Sequence, residues 1–212
     1  MRYERKYKVD DMSLAVAKQI LKWHPASFRP LYPDRQINNI YFDTPNLTTY
    51  HENVMGISER KKYRVRWYGD DVRVIGRPRF EMKIKNNQLG SKEVLPIDEF
   101  RLDDLRSLTQ GVNRLSRAPQ ALRPVLLNAY RRSYYGTSDG HFRITIDETV
   151  HYFSFLNAFR FTRFNLSDQA IIVELKYEQA LEGEAAQKIM QHLPFRQTKS
   201  SKYVNGMNLT VF

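Results

Sequence analysis

Lys62, Arg64 and Arg66 occupy every second position of Lys62-Tyr63-Arg64-Val65-Arg66-Trp67, and Arg79-Phe80-Glu81-Met82-Lys83-Ile84-Lys85 repeats the alternation with a carboxylate among the cations. Six stretches of the chain carry this pattern. A β-strand sends successive side chains to opposite faces, so each stretch builds one charged face and one apolar face. Arg offers a planar fork of donors that matches phosphate oxygens, and Lys supplies a compact positive charge. The Glu-x-Lys pattern recurs at Glu81/Lys83 and Glu174/Lys176. A carboxylate among cations serves either as an ion-pair partner or as a ligand for Mg2+ or Mn2+, hard ions that prefer oxygen and are commonly shared with substrate phosphates. Together these residues could bind a polyanion with a divalent metal.

Further candidates extend the set. Glu4, Lys6 and Lys8 share one face of the first such stretch, and Glu174 lies in Ile171-Ile172-Val173-Glu174-Leu175-Lys176, where apolar neighbours enclose it. Tyr130 and Arg132 share a face, as do Arg143, Thr145 and Asp147, the last being either a salt-bridge partner or a metal contact. Lys199-Ser200-Ser201-Lys202-Tyr203 offers two ammonium groups and two hydroxyls, a pattern that by itself is also that of an exposed tail. Other chemistries find no support. His24, His51, His141, His151 and His192 show no metal-ligand spacing, and no nucleophilic triad has a recognisable local context. A Gly-x-x-x-x-Gly-Lys loop and a Gly-x-Gly-x-x-Gly turn are both missing, so side chains would have to hold any phosphate.

Composition narrows the partner. The 212 residues suit one domain with a real core, and 34 Lys plus Arg against 23 Asp plus Glu give a net charge of +11, which favours an anion. There is no cysteine, which excludes a disulfide framework, a zinc-thiolate site and a thiol nucleophile. No stretch approaches a membrane span, and Met1-Arg2-Tyr3-Glu4-Arg5-Lys6 lacks the apolar run of a signal peptide. The expectation is a cytoplasmic protein, peripheral to a membrane only through a partner that this chain does not encode.

Stepping from residues to elements, strands are expected over Arg2 to Val9, Gln36 to Asp43, Glu59 to Tyr68, Val72 to Ile75, Arg79 to Lys85, Ser91 to Pro96, Val125 to Tyr135, Phe142 to Val150, Phe159 to Phe164 and Ile171 to Tyr177. Helical spacing marks Met12 to Trp23, capped by Asp10 or Asp11, then Leu47 to Val54, Ile97 to Leu108, Val112 to Arg117 and Ala180 to His192. A basic segment, Gln197 to Val204, follows the last helix. So many two-faced antiparallel strands expose edges that invite aggregation, and closure into a barrel removes them. With the apolar faces outward under helices, the charges would line the lumen, where crowded cations repel unless water, counterions or an anionic ligand fill it. The expected fold is α+β, an antiparallel β-barrel of about eight strands forming a basic tunnel with helices packed outside.

In order along the chain, Glu4-Arg5-Lys6-Tyr7, Tyr41-Phe42-Asp43-Thr44-Pro45, Arg64-x-Arg66, Phe80-Glu81-x-Lys83, Tyr130-Arg131-Arg132, Arg143-x-Thr145-x-Asp147, Glu174-Leu175-Lys176 and Ser201-Lys202-Tyr203 resemble the VTC domain, the polyphosphate polymerase domain of the triphosphate tunnel metalloenzyme superfamily. The resemblance runs over nearly the whole chain and implies one domain over residues 1–212. It implies a basic tunnel that binds ATP and triphosphate or polyphosphate with Mn2+ or Mg2+, and transfer of the γ-phosphoryl of ATP onto a growing polyphosphate. Carried over by position, Lys6, Arg64, Arg66, Lys83, Arg132 and Lys202 resemble the phosphate-binding lumen residues, Tyr130 and Ser201 stand beside them, and Glu174 resembles the metal carboxylate. CYTH-type relatives open with Glu-x-Glu-x-Lys, whereas this chain reads Glu4-Arg5-Lys6-Tyr7-Lys8, a departure that speaks against a strongly metal-dependent hydrolase or cyclase.

The full candidate set is therefore Arg64, Arg66, Lys83, Arg132 and Lys202 as catalytic cations, with Lys6, Lys8, Lys62, Tyr130, Ser201, Lys199 and Arg143 for phosphate and Glu174 and Glu81 for metal. Two other readings stay open: a tripolyphosphate or nucleoside triphosphate hydrolase of the same fold, and a non-catalytic polyanion binder. Nucleic acid is not expected, because the aromatics Tyr63, Trp67 and Tyr68 are read as alternating with the cations rather than sharing their face, which favours a buried aromatic layer over a stacking platform.

Overall fold

In the computed structural model, which describes residues 2–71, 73–86, 89–156 and 166–211, the alternating segments are antiparallel strands. In chain order they are β1 (Arg2–Val9), β2 (Arg29–Asp43), β3 (Glu59–Tyr68), β4 (Val74–Ile75), β5 (Arg79–Asn86), β6 (Leu89–Pro96), β7 (Phe100–Arg101), β8 (Arg123–Gly136), β9 (Phe142–Ser154), β10 (Leu166–Asp168) and β11 (Ile171–Glu178). The helices are α1 (Leu14–Trp23), α2 (Thr48–Met55), α3 (Leu105–Ser116), α4 (Glu184–Met190) and α5 (Lys202–Thr210). The α+β class and its antiparallel strands are as expected. Among the described residues no helix is long and apolar enough to cross a membrane.

Two compact units divide the chain: Met1–Arg35, Tyr130–Val150 and Ser167–Ser200 form unit 1, and Gln36–Ala129, His151–Leu166 and Ser201–Phe212 form unit 2. In unit 1 the strands run in the order β1-β11-β9-β8-β2. Register places Lys6 opposite Glu174, and Glu174 opposite Thr145, so charged positions of neighbouring strands share a face. The other face sends Tyr7, Val9, Ile144, Ile146, Val173 and Leu175 into a core with Ala17 and Leu21 of α1 and Ala186 and Ile189 of α4. In unit 2 the order is β8-β2-β3-β5-β6, with β4 and β7 paired separately. Its core joins Ile40, Phe42, Val65, Trp67 and Phe80 to Leu108 and Val112 of α3. Alternation alone sorts these residues, since burial of one face fixes register to the residue.

Several boundaries differ from the sequence expectation. Ser13, rather than Asp10 or Asp11, caps α1, its Oγ accepting the Val16 N–H at 3.3 Å. Gly111 does not break α3, which runs unbroken from Leu105 to Ser116; a Cβ there would meet the Ile97 side chain at 3.2 Å, so the small residue permits close packing inside the helix. Gly183, with φ +98°, does stop the chain between the short turn Gln179–Leu181 and α4, so the single helix expected from Ala180 to His192 is broken. The expected strand from Phe159 to Phe164 lies outside the described residues.

Helix α5 was not anticipated, since Asn205-Gly206-Met207-Asn208 has little helix propensity. Tertiary contacts within unit 2 supply what propensity does not. Tyr203 stacks on Tyr41 with ring centroids 5.1 Å apart and donates its O–H to Asp43 at 2.5 Å. Gly206 lies so close to Tyr152 and Leu126 that an added Cβ would sit 2.4 Å and 2.6 Å from their side chains. Tyr41 shares the face of its register partner Arg64, so α5 lies on the charged side of these strands, while α3 covers the apolar side.

Candidate functional site

The charged faces carry one cluster in each unit. In unit 1, Arg132 of β8 donates from Nε and Nη2 to the two oxygens of Asp147 on β9, at 2.5 and 2.6 Å. Asp147 has no solvent exposure. This buried, bidentate pair fixes the plane of the guanidinium, which also lies 5.4 Å from the centre of the Tyr130 ring. Burial works to lower the Arg132 pKa, but the charges of Asp147 and Glu174 outweigh it and hold it well above the ordinary arginine range.

Glu174 is the centre of that cluster. Its oxygens lie 2.8 Å from Lys176 Nζ, 3.4 Å from Lys6 Nζ and 3.5 Å from Arg132 Nη2. Lys6 also pairs with Glu4 at 3.1 Å and donates to the Ser200 carbonyl at 3.2 Å. Burial acts to lower the Lys6 pKa, yet Glu174 and Glu4 push it above the usual lysine value, so it stays an ammonium. Lys8 sits between Asp10 and Asp168, at 3.2 and 3.6 Å. Lys199 is exposed in the segment whose Thr198 bonds to β1, and Arg143 is exposed opposite Lys176.

In unit 2, adjacent strands align Lys62, Lys83 and Lys92 in one row and Arg64 with Glu81 in the next. Strands lie about 4.8 Å apart, so a row of like charges is repulsive unless carboxylates or an anion relieve it. Glu81 gives part of that relief: its Oε2 accepts from Arg64 Nε at 2.8 Å and Nη2 at 2.5 Å, and its Oε1 accepts from Lys92 at 3.2 Å. Arg66 Nη1 approaches the same carboxylate at 4.0 Å. Burial tends to raise this carboxyl, but Arg64, Arg66 and Lys92 prevail and hold it down at about 2. Lys62 donates to Ser201 Oγ at 2.9 Å, and Ser201 in turn caps α5, which begins at Lys202.

Over residues 1–211 the sequence matches the family model of the VTC domain. The chain belongs to the VTC domain family. No curated protein matches it. Among solved structures, the VTC-domain fold is similar to that of a candidate adenylate cyclase from Vibrio parahaemolyticus, with 14% identity, a TM-score of 0.54 and 95% of each chain covered. A candidate adenylate cyclase from Bacillus halodurans gives 12% identity and a TM-score of 0.55, with 96% of this chain and 97% of that chain covered. A candidate adenylyl cyclase from Hippeastrum, described as having a dominant triphosphatase activity, gives 14% identity and a TM-score of 0.51 over 100% of this chain and 98% of that one. At these identities the likeness is one of fold.

For the VTC-domain chain, Lys6, Arg132, Tyr130 and Glu174 meet in unit 1, and Lys62, Arg64, Arg66, Glu81, Lys83 and Ser201 meet in unit 2. Lys8, Lys199 and Arg143 lie toward the exposed margins of their own unit. The sequence reading puts Glu4 on the face of Lys6 without giving it a role, and misses Lys92, Asn39 and Asn128. Glu4 brings a second carboxylate to Lys6, two residues away on the same strand face, and Lys92 continues the row of Lys62 and Lys83. Asn39 binds Arg66 at 2.8 Å and is itself bound to Asn128. Period two already aligns Glu4 with Lys6 and could have found Lys92; the asparagines carry no charge to draw notice.

Proposed function

We propose that this chain is a metal-dependent polyphosphate polymerase, that residues 1–212 act as one domain, and that it transfers the γ-phosphoryl of ATP to the end of an inorganic polyphosphate. The observation that carries this reading is the preorganisation of its guanidinium groups: Arg64 and Arg132 are each held in a bidentate or forked contact by a buried carboxylate. Donors fixed in advance and aimed at phosphate oxygens cost no reorganisation as charge shifts during transfer. The terminal phosphate oxygen of the polymer would bond to the γ-phosphorus as the bond from that phosphorus to the bridging oxygen breaks and ADP departs. That oxygen is already ionised, so no general base is required of the protein.

In their chemistry, Glu174 and Glu4 suit Mg2+ or Mn2+, because such ions are commonly held by one or two carboxylates together with water and substrate phosphate. Both carboxylates contact the Lys6 ammonium, which places them on one side of unit 1. A metal bound there supplies positive charge to phosphate oxygens. Glu81 suits the role less well, since Arg64 holds one oxygen through two donors at 2.8 and 2.5 Å and Lys92 holds the other at 3.2 Å, whereas two of the three cation contacts of Glu174 are longer, at 3.4 and 3.5 Å. Of the two metal carboxylates that the sequence suggested, the reading therefore favours Glu174 and treats Glu81 as the holder of Arg64. Among the described residues no group of three His, Cys, Asp or Glu is placed to hold a metal ion.

Tyr63 and Trp67 are buried on the face opposite Arg64 and Arg66, which supports phosphate rather than nucleobases as the partner of the cations; Tyr68, two positions beyond Arg66 at the end of β3, departs from the expectation, being exposed and in phase with the cations. The second reading, a triphosphate hydrolase, is favoured by the activity described for the Hippeastrum protein. Incubation with ATP and Mn2+ or Mg2+ separates the readings: long phosphate chains with ADP support the polymerase, orthophosphate the hydrolase, and unchanged ATP a polyanion binder. Glu174→Gln should abolish metal-dependent turnover while polyphosphate binding persists, and full turnover in that variant would remove Glu174 from the metal site.

A further inference from the structure

Thr145 stands among the charged groups of unit 1 and bonds to none of them. Ile144 and Ile146, on either side of it in β9, are buried in the core, so the period of two holds Thr145 on the opposite, charged face with Asp147. Register sets Lys6, Glu174 and Thr145 in one row across β1, β11 and β9. The neighbouring carboxylates are engaged elsewhere: Asp147 accepts from Nε and Nη2 of Arg132, and the oxygens of Glu174 lie 2.8, 3.4 and 3.5 Å from Lys176, Lys6 and Arg132. Thr145 is 7% exposed, and its Oγ1 is buried with no hydrogen-bond partner among the described residues.

A buried hydroxyl without a partner is costly, whereas valine has the same branched shape, the same fitness for a strand and nothing to satisfy. Folding therefore gains nothing from the hydroxyl. What it lacks is an acceptor, in a place where Lys6 and Arg132 gather positive charge, and an anionic oxygen answers both. We propose that Thr145 is a further phosphate-binding residue, its O–H donating to a phosphate oxygen of the triphosphate or polyphosphate drawn in by Lys6 and Arg132. Entry of the anion exchanges the Glu174 contacts of Lys6 and Lys176 for contacts to phosphate, which opens the row to the hydroxyl. The inference rests on the reading that unit 1 binds phosphate through its cations.

Calorimetric titration of the full chain with inorganic tripolyphosphate in the presence of Mn2+, paired with thermal unfolding of the ligand-free protein, tests this. Thr145→Val should weaken binding by about tenfold or more, the scale of a lost hydrogen bond to a charged group, while the unfolding midpoint stays or rises. Thr145→Ser keeps the hydroxyl and should bind close to the wild type. Wild-type affinity in Thr145→Val overturns the proposal, as does equal weakening in both variants, which would assign the effect to the methyl group. A lower midpoint in Thr145→Val would show that the hydroxyl is bonded within the fold, and overturns it too. Mn2+ titrated alone and followed by electron paramagnetic resonance should behave alike in the wild type and Thr145→Val; weaker Mn2+ binding in the variant would give the hydroxyl to the metal rather than to phosphate. Lys6→Ala separates the two levels. If it binds tripolyphosphate weakly and Thr145→Val binds as the wild type does, only the present inference fails. If the wild type binds no tripolyphosphate, or both variants bind as the wild type does, the phosphate reading of unit 1 fails and this inference falls with it.

Discussion

Replacing Glu81 by Gln tests how the cations of unit 2 are held together. The carboxyl is 3% exposed and held at about 2 against an ordinary 4.5, despite burial, by Arg64, Arg66 and Lys92. That depression corresponds to on the order of 3 kcal/mol of stability at neutral pH. Its sign is that of a carboxylate favoured in the fold: the contribution is complete above about pH 4.5 and is lost as pH falls toward about 2. Gln keeps an acceptor for Arg64 and removes only the charge. The variant should therefore unfold with about 3 kcal/mol less stability at pH 7, a midpoint shift of roughly 6–12 °C for a chain of this size. By about pH 3 less than half of that difference should remain. Urea unfolding of wild type and variant at pH 7, 5, about 4 and about 3 measures the gap directly. A gap that stays constant across this range, or is absent at pH 7, would show that Glu81 is not the charge partner described above.

Three further outcomes follow from contacts outside the clustered cations. Tyr203→Phe removes the O–H donated to buried Asp43 and should cost about 1–3 kcal/mol in chemical denaturation; an unchanged midpoint would mean that the backbone N–H groups of Thr44, Thr49 and Tyr50 satisfy Asp43 by themselves. Gly206→Ala places a methyl 2.4 Å from Tyr152, and should lower stability by about 1–3 kcal/mol while weakening tripolyphosphate binding through displacement of α5. Wild-type stability and binding in that variant would refute the close packing of α5. Burial pushes His24 below its ordinary 6.5, with its Nδ1 accepting from Ala26 N–H at 3.0 Å, so the neutral ring is favoured in the fold. Wild-type stability should therefore decline as pH falls below about 6.5, and His24→Phe should lose that part of the pH dependence in unfolding measured between about pH 7 and 5.

The strands were legible because their signal is local. Glu59–Tyr68 was bounded to the residue by alternation, and Arg2–Val9 likewise, since burial of Tyr7 and Val9 leaves Lys6 and Lys8 only one face to occupy. Helices were less legible wherever distant residues overrule propensity. Helix α3 continues through Gly111, which packs against Ile97, and α5 forms because Tyr203 reaches Asp43 and Gly206 fits against Tyr152. Those partners lie 160 residues apart in the case of Tyr203 and Asp43, beyond any pattern a window could read.

Sequence by itself determined which side chains share a charged face, because a period of two is set by the backbone of each strand alone. It named Lys6, Arg64, Arg66, Arg132 and Glu174 without knowing what each one touches. Only the tertiary structure decided the pairings: Glu81 with Arg64 and Lys92, Arg132 with Asp147, Glu4 with Lys6, and Arg66 with an uncharged Asn39. Partner choice depends on register between strands and on the length of each side chain, both settled when the apolar faces are buried. Period two places a residue on the charged face; its neighbour across the ladder determines which partner answers that charge.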